Sequence, residues 1–218
     1  KMTYWNYCDY RCEDCEHLLE CPVALKEREQ EMKAIAEGRE FDPIEAVKES
    51  LDETLEMVRK MAEERGVDLT VETENRRIGE RAIMDHPLVE KSKNFALDVM
   101  GFAKEMEDRA FSEETQKAIY DLCWYSGLLS AKLYRCLSGK YEAMEEGDTE
   151  LKDLDMDDAH KTASVVAMAI SRCKKALDSL LLEHLSEIQK FYTELRDIEK
   201  GFVVEFPEIA VVEKKQLH

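Results

Sequence analysis

Only eight glycines and four prolines interrupt this chain, and the stretches between them repeat apolar side chains every three or four positions. A period near 3.6, carried by Glu, Lys, Leu, Ala and Met, is the pattern of amphipathic helices. The expected fold class is therefore all-α.

Caps and breakers divide the chain into elements. Pro22 suits the first position of a short helix that ends near Gly38. Asp42 caps a second helix, opened by Pro43 and stopped by Gly66, with Ile44, Val47, Leu51, Leu55, Val58 and Met61 along one face. Residues 67–85 begin with a short β-like run, turn polar, and read as a connection. A third helix is predicted from Pro87 to about Arg109. A fourth opens at Ser112, with Thr115 three residues on, and runs to Gly139. From Ala118 to Leu137 this helix is apolar nearly all round, broken by Asp121, Lys132 and Arg135, which predicts a central place.

The last predicted helix starts near Asp157 and runs unbroken to about Lys200. Its seam carries Val166, Ile170, Cys173, Leu177, Leu181, His184, Ile188, Phe191, Leu195 and Ile198. At about 1.5 Å per residue it would exceed ~60 Å, roughly twice the length of its neighbours. Half of it then needs another partner, either the N-terminal helices or a second copy in a homodimer through this long helix, and the near-heptad spacing is compatible with both. From Phe202 the tail alternates β-branched residues around Pro207 and reads as an extended arm. The expected architecture is a helical bundle of four principal helices over residues 41–200. An N-terminal Cys-rich module with the first helix (1–40) precedes it, and an extended C-terminal tail (201–218) follows.

Four of the seven cysteines, Cys8, Cys12, Cys15 and Cys21, lie within the first twenty-one residues with the spacing C-x3-C-x2-C-x5-C, closed by Pro22. Short irregular spacers let a backbone wrap four thiolates around one ion or one cluster. A C-x2-C pair and a final Cys-Pro occur in ferredoxin-like ligand runs, which favours an iron–sulfur cluster of the 4Fe-4S type. Zinc is the alternative, although zinc knuckles usually bring two C-x2-C hairpins with a turn glycine, absent here. His17 is a further zinc ligand type, but four cysteines already complete either site. Tyr4, Trp5, Tyr7 and Tyr10 supply an aromatic shell that excludes water from a redox centre or anchors the N-terminus. The C-x3-C-x2-C subset resembles the ligand spacing of radical S-adenosylmethionine enzymes. That resemblance implies a partial barrel of alternating strands and helices, and neither the βα alternation nor the glycine-rich cofactor contacts are present here.

Forty-nine acidic against 31 basic residues give a formal net charge of −18, which repels nucleic-acid phosphates and anionic membranes and favours basic protein partners. The longest apolar run, Val165 to Ile170, is far short of the roughly 20 residues of a spanning helix. Acidic residues among the first twenty-five argue against a secretory signal, and Lys1 before Met2 suggests a tag remnant. An odd number of cysteines without an export signal points to a reducing, cytoplasmic setting.

Other candidate sites have simpler explanations. His184 on the apolar seam reads as a core histidine, with a ligand role as the alternative. His160 follows Asp157 by three, but a di-metal carboxylate centre needs paired Glu-x-x-His motifs, and the chain has none. The stretch from Glu142 to Asp158 fails as a calcium loop, since Asp158 stands where glycine is required and Ser164 where glutamate is, so it reads as a solvated inter-helix loop. Cys123, Cys136 and Cys173 read as small buried hydrophobes. The function expected is electron transfer or redox sensing through a cluster on Cys8, Cys12, Cys15 and Cys21, with a protein redox partner. The alternative is a zinc-stapled helical interaction protein without catalysis.

Overall fold

The computed structural model describes residues 7–66, 68–69, 83–145, 147, 149–181 and 185–209. Among these residues every regular element is helical, as the periodicity requires, and no helix is long and apolar enough to cross a membrane. The chain forms two compact units, residues 1–74 and 75–218.

In the first unit, α1 (Pro22–Ala36) and α2 (Pro43–Arg65) each begin with proline in the first turn. Asp42 caps α2 as expected: its Oδ1 accepts from the backbone N–H of Ile44 at 2.8 Å and of Glu45 at 3.4 Å. Gly66 ends α2 in the left-handed region at φ 66°, where a side chain would be strained. The two helices meet through polar groups. Lys26 pairs with Glu53 at 2.6 Å, and the Gln30 side chain donates to the Ala46 carbonyl at 3.1 Å and to Ser50 Oγ at 3.3 Å. On these helices only the small side chains of Ala24, Ala34 and Ala62 are buried.

The second unit holds α3 (Pro87–Met106), α4 (Glu113–Glu145), α5 (Thr149–Leu180) and α6 (Leu185–Glu205). The α3 helix is capped by His86, whose Nδ1 accepts from the Leu88 N–H at 3.2 Å. Ser112 caps α4 as expected, its Oγ accepting from the Thr115 N–H at 3.2 Å. The α4 helix packs against α3 and α5, and α6 packs against α3 and α5. Partner numbers that rise on one helix and fall on the other make the α4–α5 and α5–α6 pairs antiparallel. Arg135 reaches Asp158 and Gly139 faces the Asp155 carbonyl between α4 and α5, and Lys174–Glu199 with Tyr192–Asp178 tie α5 to α6. One core runs through the unit, with Leu122, Leu129, Leu133 and Leu137 of α4 fully enclosed.

Three expectations are corrected here. The unbroken helix over 157–200 is two helices that fold back on each other. In that arrangement Val166, Ile170, Cys173 and Leu177 share one core with Ile188, Phe191, Leu195 and Ile198, and neither half needs a second copy. The acidic stretch is largely helical, because α4 continues to Glu145 and α5 begins at Thr149. Gly139 is accordingly a crossing point and not a stop: its Cα faces the Asp155 carbonyl and the Ala159 Cβ so closely that an added Cβ would meet them at 3.4 and 3.5 Å. The tail from Phe202 is not extended over its described part. Phe202 and Phe206, four apart, both enter the core, while the β-branched Val203 and Val204 face outward. Lys140 fixes the end of α6 by donating to the carbonyl oxygen and to Oε2 of Glu205, each at 2.7 Å. Residues 210–218 lie outside the described residues.

Leu133→Ala should lower the unfolding free energy in urea by about 2–5 kcal/mol. Gly139→Ala should be close to neutral, whereas Gly139→Leu should cost about 1–3 kcal/mol because the α4–α5 contact has no room for a branched side chain.

Candidate metal centre

Residues 7–21 contain one short 3-10 turn, Cys12–Asp14, and otherwise loop back on their own backbone. Tyr10, between the first two cysteines, has a φ of 57°, a left-handed conformation that reverses the chain direction at some steric cost to a non-glycine residue. The adjoining turn is held by the Arg11 N–H donating to Asp9 Oδ1 at 3.2 Å and by an Arg11–Glu13 ion pair. Further on, the Cys15 N–H donates to the Cys12 carbonyl at 3.3 Å, and the His17 carbonyl accepts from the N–H groups of Glu20 at 3.0 Å and Cys21 at 2.9 Å. Cys21 is the N-terminal cap residue of α1, at the positive end of the helix, and its thiol accepts no capping hydrogen bond.

All four cysteines are free thiols; Cys21 is buried and Cys8, Cys12 and Cys15 are half-buried. Burial first, and then the charges of Cys8, Glu27, Cys21 and Cys15, push the Cys12 thiol above its ordinary value of 9.0. The other three cysteines therefore lie within electrostatic reach of Cys12. They do not converge further: among the described residues no group of three or more His, Cys, Asp or Glu side chains stands in metal-ligating geometry. Glu27 was not singled out from the sequence. It sits on α1, six positions past Cys21, and only the helix start at Pro22 turns that separation into proximity to Cys12. His17 is exposed and lies 3.6 Å from Glu16. Of the proposed aromatic shell, Tyr7 is half-buried, Tyr10 is exposed, and Tyr4 and Trp5 lie outside the described residues.

The second unit places the remaining candidates apart from this segment in chemistry. Cys136 and Cys173 are buried, and Cys123 is half-buried with its sulfur 4.0 Å from the Val99 carbonyl. Burial pushes the Cys136 thiol up to about 12 and raises that of Cys173 further, so both are inert packing groups. His160 makes an edge contact with the Phe206 ring at 6.3 Å and belongs to the packing. His184 lies outside the described residues. A polar cluster not read from the sequence, His86, Lys140 and Glu205, pins the ends of α3, α4 and α6, with His86 Nε2 3.8 Å from Glu205 Oε1.

Comparison with family models, curated proteins and solved structures returns no match. The arrangement of the residues themselves therefore carries the functional reading.

In metal-free folded protein at pH 8, iodoacetamide should modify Cys12 more slowly than an ordinary exposed thiol, and should reach Cys136 and Cys173 only on unfolding. Peptide mass spectrometry reads both. In the unfolded chain the buried thiols ionise near 9.0, while in the folded one Cys136 holds its proton to about 12. Their contribution to stability is thus complete at neutral pH and is lost as the pH climbs above 9. The melting temperature should fall over that interval, less steeply in Cys136→Ala.

Proposed function

We propose that Cys8, Cys12, Cys15 and Cys21 hold an iron–sulfur cluster of the 4Fe-4S type, and that the protein serves in electron transfer or redox sensing. The observation that carries this reading is the placement of Cys12 within electrostatic reach of the other three free thiols. Thiolates within electrostatic reach of one another repel; a bound cation reverses the sign of that interaction and drives their deprotonation. The positive end of α1 at Cys21 favours the net negative charge of a thiolate-ligated cluster. Three of the four cysteines are only half-buried, so a cluster there lies near the surface, where electrons pass to a docked protein. An acidic surface favours a basic redox partner. Free thiols suit a reducing, cytoplasmic compartment, and the four helices α3–α6 form the bundle that serves as scaffold.

Zinc on the same cysteines is the second reading. It is favoured by the scant regular structure of residues 7–21, a segment of the kind that metal binding folds. In that case the protein is a helical interaction module without catalysis.

Elemental analysis and an absorption spectrum of protein purified without oxygen decide between them. About four iron and four sulfide per chain, with a band near roughly 400 nm, are expected, lost together in Cys12→Ser. One zinc per chain and no visible band would replace the redox reading with the staple. Neither metal, with Cys12→Ser unchanged in stability, would overturn both.

A further inference from the structure

We propose that the apolar face of α2 is a dimer seam, covered by α2 of a second copy of this chain. The α2 helix is exposed where it is most apolar. Ile44, Val47, Leu51, Val58 and Met61 keep between 43 and 80% of their surface open, as do Leu55 and Met57 beside them. The α1 helix does not cover this stripe, because it meets α2 through Ala46, Ser50 and Glu53, which lie on another face.

The stripe has the register of a coiled coil. With Ile44 at position a, Leu51 and Val58 also fall at a, and Val47, Thr54 and Met61 at d, over three heptads. Thr54 is the only polar member of the seam. Its hydroxyl donates to the Ser50 carbonyl of its own helix at 2.8 Å, so burying it leaves no donor unsatisfied.

Two features select a second copy as the occupant. The first is charge. A chain of net charge −18 resists self-association unless like charges are kept off the contact. In this register eight of the eleven charged residues of α2, among them Glu49, Asp52, Glu53 and Glu56, occupy the outer positions b, c and f. Of the other three, Lys48 and Glu64 put no like charges opposite each other in a parallel pair, and Arg65, at the a position that ends the helix, is the one charged residue that would face its own copy. The second feature is area. The five apolar a and d residues leave roughly 550 Å2 open, the per-partner share of an interface at the weak, small end of the range. An identical helix supplies the same three heptads on the other side of a twofold axis. This contact differs from the one expected through the C-terminal helices, whose seam residues Ile170, Leu177, Ile188 and Leu195 are buried within their own unit.

Sedimentation equilibrium of the full chain, metal-free and metal-loaded, tests the seam. The expected mass is twice the 25.3 kDa of one chain at about 10–100 µM, falling toward the single-chain value on dilution. The double variant L51E/V58E should be monomeric with unchanged helical circular dichroism, and the outer-face control E49Q/E56Q should remain dimeric. Should the glutamates disturb the helix, L51A should still raise the dissociation constant about tenfold or more. A single-chain mass at every concentration would overturn the proposal, as would a dimer indifferent to L51E/V58E and L51A. Mass and metal content are read separately, so failure of the seam leaves the cysteine site standing, and the reverse.

Discussion

The close approach of α4 and α5 is the contact on which the second unit depends. These helices, of 33 and 32 residues, run antiparallel, and at their crossing Gly139 faces the Asp155 backbone and Ala159 with no intervening side chain. Small residues at a crossing allow two helices to interlock near the lower end of the usual 8–10 Å separation, where dispersion contacts are densest. On either side of that crossing the leucines of α4 share one core with the apolar face of α5. The crossing also places Lys140, one residue past the glycine, where its ammonium reaches the last turn of α6 and lies over the Phe206 ring at 5.2 Å. Lysine is suited to that place, since a cation satisfies the exposed carbonyls at a helix C-terminus.

What was legible in the sequence is what short-range chemistry decides. Asp42 and Pro43 open α2, Gly66 closes it, and Ser112 caps α4, because each effect acts within one turn and needs no knowledge of the rest of the chain. The failures are of the opposite kind. No glycine or proline marks the break after Leu180; the chain turns there because both halves of the long apolar seam gain more by burying each other than by continuing into solvent. Gly139 carried a stop signal by local rules and turned out to serve a neighbour's backbone. Val203 and Val204 argued for a strand, and the spacing of Phe202 and Phe206 outweighed them, since each buried aromatic ring is worth about 1.5–3 kcal/mol against a few tenths for local propensity.

Four clustered cysteines were legible in the sequence and their mutual geometry was not, for a physical reason. Residue type and spacing are properties of the sequence, whereas convergence on one point would require an ion of the kind the proposed site holds. Without that ion the interactions among Cys8, Cys12, Cys15 and Cys21 are desolvation and mutual repulsion, both of which oppose ionisation of the central thiol, and Glu27 adds to the repulsion. The turn at Tyr10 and the 3-10 turn at Cys12 bend the segment back on itself, and nothing in it draws the cysteines into one cluster.

The two units differ in how far they complete themselves. The second closes a core of large apolar side chains from four helices. In the first, by contrast, α1 and α2 bury little more than alanines and leave Met32, Ile35, Leu51 and Leu55 to water. A two-helix hairpin held by Lys26–Glu53 and the Gln30 contacts gains little from them, because exposed ion pairs contribute under about 1 kcal/mol each and isolated helices of this length are marginal. Such a unit needs stabilisation from outside its own side chains. In the proposed site a metal on the four cysteines would supply it at the start of α1, and in the proposed dimer a second copy would supply it along α2. The two would act on different residues, so either could stabilise the first unit without the other, whereas the second unit closes its own core.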